Sequence, residues 1–134
     1  MYDYRHLTAE ERAELVRTRL SRGYPPHEPP HSVRDRTLYL FTASCYNHQR
    51  LIDSPERRRE LLDAVFDHFL SMGMEITAWV ILPNHYHLVA DAVDMAKIGS
   101  IFKAIHGASA RLWNLADQQV GRKVWYRYSD RAIR

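Results

Sequence analysis

The hydrophobic positions of this chain switch between a helical and an alternating period, and the switches lay out its elements. Thr8-Ala9-Glu10-Glu11 is a capping box in which Thr8 and Glu11 can satisfy each other's free backbone donors. A helix is predicted from there to about Leu20, with Leu15, Val16 and Leu20 apolar, and Gly23 stops it. The stretch Tyr24-Pro25-Pro26-His27-Glu28-Pro29-Pro30-His31 holds four prolines in eight residues, so it is an extended arm. His27 and His31 are loop histidines in that arm, where no metal role is expected. Thr37 to Tyr46, rich in aromatic and β-branched residues, reads as the first core strand.

Asp53-Ser54-Pro55-Glu56 supplies an N-cap followed by proline at the first helical position. The helix it opens is predicted to reach about Met72, with Leu61, Leu62, Val65, Phe66, Phe69 and Leu70 as its apolar face. Arg57, Arg58 and Arg59 in its first turn read as a solvated helix end beside Glu56 and Glu60, with a phosphate-binding cluster as the alternative. Gly73 ends this helix. Two apolar runs then flank Pro83-Asn84, a turn pair, giving a β-hairpin of Glu75–Leu82 and His85–Asp91. Met95 to about Leu115 is the next helix, with Ile98, Ile101, Phe102, Ile105, Ala108 and Leu112 facing the core. Gly107 in its middle costs about 1 kcal/mol against alanine, so it calls for a packing or close-approach reason. Lys123 to Tyr128 reads as the last strand. The fold class is therefore α+β: a ferredoxin-like βαββαβ antiparallel sheet with two helices on one face, at residues 37–134. An N-terminal helix and proline-rich arm, residues 1–36, precede it.

The length of 134 residues and a hydrophobic share of 46% suit one well-formed core. With no run of about 18 apolar residues and no signal-peptide pattern, a soluble, cytoplasmic chain without a membrane partner is expected. The single cysteine, Cys45, excludes an internal disulfide framework and reads as a small buried strand residue. Charge is unevenly spread. Residues 1–36 carry seven arginines against six acids, residues 37–96 four arginines against eight acids, and residues 97–134 eight lysines and arginines against two acids. A basic last quarter suits a polyanionic partner, most simply nucleic acid.

The candidate chemistry lies just after the hairpin turn. Side chains alternate along a strand, so His85 and His87 share one face while Tyr86 and Leu88 anchor the other. Two imidazoles two residues apart on one strand can hold a single divalent ion. A histidine-triad nucleotide hydrolase would need a third histidine two residues on, and that position is Val89. On the following helix, His106 and Ser109 beside Gly107 are candidates to face DNA, with a spacing role as the alternative. Arg122, Lys123, Arg127, Arg131 and Arg134 interleave with Trp125, Tyr126 and Tyr128, a mixture suited to backbone charge contacts and base stacking. For Trp125 a core role is the simpler reading.

Ala78-Trp79-Val80-Ile81-Leu82-Pro83-Asn84-His85-Tyr86-His87-Leu88 resembles the HUH segment of single-tyrosine transposases of the insertion-sequence type, closest to the branch associated with repetitive extragenic palindromes. His106-Gly107, Trp113-Asn114 and the stretch from Gly121 to Arg134 resemble that branch in the same order. The resemblance implies Mg²⁺ or Mn²⁺ on His85 and His87, and Lys103, His106, Arg111, Arg122, Lys123, Arg127 and Arg131 as DNA-binding residues. It implies metal-dependent single-strand DNA cleavage and strand transfer through a 5′-phosphotyrosine, on single-stranded or hairpin palindromic DNA. A nucleoid-associated protein and a homodimer fit the same picture. In the family, Arg131-Ala132-Ile133-Arg134 leads into a helix carrying the nucleophilic tyrosine, expected beyond Arg134 and absent from this chain. The alternative is a non-catalytic DNA-hairpin-binding module. Tyr126 and Tyr128, expected on one face of the last strand, are not expected to replace the nucleophile.

Overall fold

The computed structural model describes residues 8–21, 38–91 and 94–133. It comprises two compact units, Met1–Pro30 and His31–Arg134. The proline arm with His27 and His31, together with Thr37 and Arg134, lies outside the described residues.

In the first unit, α1 (Ala9–Ser21) begins on its capping box. The Thr8 N–H donates to Glu11 Oε2 at 2.7 Å and the Glu11 N–H to Thr8 Oγ1 at 3.2 Å. These two bonds hold the Glu11 carboxyl below the ordinary carboxylate range.

The second unit runs β1 (Leu38–Ser44), α2 (Pro55–Ser71), β2 (Ile76–Leu82), β3 (His85–Asp91), α3 (Met95–Ala116) and β4 (Ser129–Ala132), with a 3-10 turn at Tyr46–His48 after β1. The sheet order is β2-β3-β1-β4, and every neighbouring pair is antiparallel. This is the expected βαββαβ arrangement. Both helices cover one face, where Phe41 of β1, Phe69 of α2 and Phe102 of α3 meet with ring centroids 5.6–6.0 Å apart. Tyr39, Ala43, Tyr86, Leu88 and Ala90 complete that face and are buried. The other face carries the alternate residues of the same strands.

The α2 helix starts on Ser54, whose Oγ accepts from the Arg57 N–H at 3.2 Å, with Pro55 in its first turn. Arg57 and Arg58 are spent on the chain itself: Arg57 bonds Leu51 O and Asp117 Oδ1, and Arg58 bonds Ile52 O and Asp53 O.

The buried face of α2 is narrower than expected, and that of α3 agrees as far as Ile105 and then shifts by one position. On α2 the buried residues are Leu61, Val65 and Phe69, while Leu70 is 75% exposed. On α3 they are Ile98, Ile101, Phe102, Ile105, Ser109, Trp113 and Asn114, while Ala108 and Leu112 face outward. Trp113 sets the second half of the α3 stripe, because its large ring claims the core position that a Leu112-centred face would have used. A Cβ at Gly107 would meet nothing within 4 Å, so among the described residues no packing contact requires this glycine.

The last strand is also displaced. It is Ser129–Ala132, not Lys123–Tyr128. Val124 and Trp125 are both buried, and two consecutive inward residues break the alternation that a ladder needs. Only one bridge forms there, Cys45 with Trp125. The Trp125 indole lies beneath the sheet, stacked on His106 at 4.4 Å, so its packing overrides the β-propensity of its neighbours.

Candidate nucleic-acid and metal site

The chain turns at Pro83-Asn84, and the rest of the fold buttresses that turn: Pro83 O accepts from the Ile52 N–H and Asn84 O from the Cys45 N–H. β3 leaves it as a central strand. Register places His87 opposite Thr42 on β1 and Val80 on β2, and His85 opposite Ser44 and Leu82. Directly paired residues point to the same side, so His85 and His87 lie on the face the helices leave uncovered. Both are half-buried, with ring centroids 5.1 Å apart at 84°.

Each imidazole is oriented through its Nδ1. His85 Nδ1 lies 2.7 Å from Asn84 Oδ1, while Asn84 Nδ2 donates to His48 O at 3.3 Å. The second bond fixes which end of the Asn84 amide faces His85, and an amide oxygen only accepts, so the His85 Nδ1 carries the proton. Its Nε2 lone pair is then the one available to a ligand. His87 Nδ1 sits 2.8 Å from Thr42 Oγ1, and its Nε2 has no hydrogen-bond partner among the described residues. Such outer partners fix ring orientation and ligand basicity at metal-binding histidines. Desolvation, and then the nearby His87 and His48, push the His85 pKa down, which favours the neutral, ligating form.

Among the described residues no group of three His, Cys, Asp or Glu side chains could hold a metal ion. The donor chemistry still fits a divalent ion that takes two imidazoles and fills its remaining positions with oxygen from solvent or substrate.

The residues expected to bind DNA divide among different surfaces. Arg131 is exposed on β4 opposite Leu40, on the same sheet face as His87. Lys103 and Arg111 are exposed on α3, in the layer across the sheet. Arg127 is exposed in the segment before β4. Arg122 is committed internally, bonding Asn114 Oδ1 at 2.9 Å and Asp117 Oδ2 at 2.7 Å. Lys123 is exposed, its Nζ 4.5 Å from the Tyr46 ring centroid.

His106 faces the core. Its Nε2 lies 2.8 Å from Tyr86 Oη, and burial pulls its pKa down to about 4. Ser109 is buried beside it and accepts from Trp125 Nε1 at 3.0 Å. Tyr126 and Tyr128 are not strand neighbours on one face. Tyr128 stacks on Phe102 of α3 at 4.2 Å, whereas Tyr126 packs against Tyr46 at 4.9 Å and donates its hydroxyl to Asn47 Oδ1. Cys45 is fully buried, and desolvation pushes its thiol up to about 11, as suits an inert core residue.

Thr42 and Asn84 are the site residues that the sequence did not point out. Asn84 adjoins His85 and was legible as a turn residue. Thr42 required the β1–β3 register.

No family model matches the chain. It is 34% identical over 87 residues to the ISDra2 transposase TnpA of Deinococcus radiodurans, a match covering 65% of this chain and 61% of that relative's length. Two solved structures share the fold, each over 80% of this chain at 21% identity. One is a tyrosine transposase associated with REP sequences, bound to a REP hairpin (TM-score 0.57, 62% of that chain). The other is a candidate transposase from Deinococcus radiodurans (TM-score 0.58, 85% of that chain).

Proposed function

We infer that this chain, which belongs with the insertion-sequence and REP-associated transposases, is the metal- and DNA-binding core of an enzyme that cuts and rejoins single-stranded DNA. The observation that carries the reading is the His85–His87 pair, side by side on the uncovered sheet face with each Nδ1 engaged and neither Nε2 hydrogen-bonded among the described residues. Mg²⁺ or Mn²⁺ bound there would polarise a scissile phosphate and neutralise the charge that develops on it. His85 and His87 would hold the ion, and Asn84 and Thr42 would keep the two rings in place. Arg131 on the same face, with Arg127 and Lys123 nearby in the chain, would hold the DNA backbone.

In the strand-transfer reaction a tyrosine oxygen attacks phosphorus, the bond to the 3′ oxygen breaks, and that oxygen leaves as a 3′-hydroxyl. The resulting 5′-phosphotyrosine stores the bond energy for rejoining. We assign the nucleophile to none of the described tyrosines. Tyr39 and Tyr86 are core residues, Tyr128 is stacked on α3, and Tyr46 and Tyr126 are packed together. The partners we assign are single-stranded or hairpin DNA and, through the outer edge of β2, a second copy of the chain. β2 is an edge strand with Trp79 49% and Val80 43% exposed.

The test measures metal and DNA binding separately. His85→Ala and His87→Ala should each abolish Mn²⁺ binding while hairpin-DNA affinity changes only a few fold, because phosphate contacts supply most of that affinity. Affinity for a single-stranded palindrome should fall steeply with salt. Undiminished Mn²⁺ binding in the double variant, or equal affinity for a fully paired duplex without flank or hairpin, would overturn the reading.

A further inference from the structure

We propose that Tyr46, Lys123 and Tyr126, mounted on the Asn47–His48 turn, form a subsite that seats one unpaired nucleotide of the DNA strand beside His85. This inference rests on the DNA-cleaving reading and specifies how the strand is held.

Two segments far apart in sequence are clamped together here. The Tyr46 N–H donates to Val124 O at 2.7 Å and the Tyr126 N–H to Ser44 O at 2.9 Å, on either side of the Cys45–Trp125 bridge. The clamp sets the Tyr46 and Tyr126 rings 4.9 Å apart with a 51° tilt, both half-buried at the surface. Lys123 Nζ lies 4.5 Å from the centre of the Tyr46 ring and 5.8 Å from that of Tyr126. It makes no ion pair among the described residues, in contrast to Arg122 next to it, which is paired with Asp117. An exposed ammonium held over aromatic rings rather than a carboxylate can still take a phosphate.

The turn beneath is strained. Asn47 (φ 53°) and His48 (φ 52°) are consecutive non-glycine residues in the left-handed region. Such conformations persist only where the surroundings over-determine them, and they concentrate at ligand sites. Here the His48 N–H donates to Cys45 O at 3.0 Å, and the Tyr126 hydroxyl donates to Asn47 Oδ1 at 3.1 Å. The same turn reaches the metal-candidate histidine through one side chain: Asn84 donates to His48 O and accepts from His85 Nδ1. A nucleotide held on the tyrosines would therefore lie on the structure that orients His85.

The ligand follows from the chemistry. Aromatic side chains beside a free ammonium make a stacking platform with a phosphate anchor, and stacking on a side chain requires a base whose face is not already covered by a neighbour. The occupant is thus a nucleotide from the single-stranded segment flanking a hairpin, not a base within its stem.

The experiment uses a fluorescent DNA hairpin with a short single-stranded flank, in which each flank position is made abasic in turn. With the unmodified protein, one position should cost about 5- to 100-fold in affinity, the range expected for a stacked base. In Tyr46→Ala and Tyr126→Leu the intact flank should bind about as weakly as that abasic probe, and the abasic change should cost nothing further. Lys123→Gln, at an exposed position, should lower the slope of log affinity against log salt by about one. If the abasic penalties are the same in the variants as in the unmodified protein, or the salt slope of Lys123→Gln is unchanged, the subsite is overturned while hairpin binding stands. If the unmodified protein does not bind the flanked hairpin at all, the function proposed above falls, and this inference with it.

Discussion

His106 should make the folded state acid-sensitive between about pH 6.5 and pH 4. It lies between the sheet and α3, stacked on Trp125, in edge contact with Tyr86 and tilted against Phe102, with Ser109 one turn along the helix. No carboxylate lies among these neighbours, and burial lowers its pKa from 6.5 to about 4. A histidine whose folded pKa is depressed binds protons more readily when unfolded, so stability is complete above about pH 6.5 and falls as the pH drops toward 4. The full shift corresponds to about 3 kcal/mol, of which about 2 kcal/mol falls between pH 7 and pH 5. The carboxylates held low by hydrogen bonds and arginines, Glu11, Asp53, Glu56 and Asp117, lose their contribution mainly below about pH 5, beneath the measured range. His85 shifts in the same direction as His106, so the comparison must retain it. His106→Gln keeps a polar partner for the Tyr86 hydroxyl and removes the titration. Urea unfolding at pH 5, 6 and 7 should show the unmodified protein losing about 2 kcal/mol more than the variant. Parallel pH dependences of the two proteins would refute the assignment of a depressed, buried imidazole.

Two further outcomes follow from the same geometry. Thr42→Val removes the partner of His87 Nδ1 at nearly constant volume, and should weaken Mn²⁺ binding about 10- to 100-fold by titration calorimetry while hairpin affinity is kept. Gly107→Ala places a methyl group where nothing lies within 4 Å in mid-helix, so it should stabilise the fold by about 1 kcal/mol, read as a rise of roughly 3–5 °C in thermal unfolding. A fall instead would mean that the α3 backbone near Gly107 is not regular helix.

The element order and the placement of His85 and His87 on one strand face could be read from the sequence because both rest on local periods. The capping box at Thr8, the Ser54–Pro55 helix start and the Pro83-Asn84 turn are chemical signals confined to a few residues, and each marks the boundary it was expected to mark. The strand period of two placed His85 and His87 opposite Tyr86 before any pairing was known. What could not be read depended on distant partners. Trp125 pulls its segment out of the ladder because His106, Tyr86 and Trp113 are waiting beneath it. The basic last quarter could not reveal that Arg122 is tied to Asp117, which also receives Arg57 from the start of α2. The aromatic cluster at Tyr46 and Tyr126 joins residues 80 positions apart across a single bridge. Its signal in the sequence was only a run of β-formers, and that run suggested a strand instead.

The way β3 is anchored orients the histidine pair from the core. His85 and His87 flank Tyr86, which is fully buried, and its hydroxyl is fixed at 2.8 Å by His106 on α3. A slip of β3 by one residue would turn every side chain over. It would take Tyr86 and Leu88 into water, at about 1.5–3 kcal/mol for each large apolar side chain, and would push two imidazoles among Phe41, Phe102 and Trp125. The cost of burying those imidazoles without their Thr42 and Asn84 partners adds to the same side of the balance. The register is therefore set by the core, and the metal-candidate face inherits it. An ion or a phosphate arriving there meets rings already aimed, so none of its binding energy goes into ordering the strand.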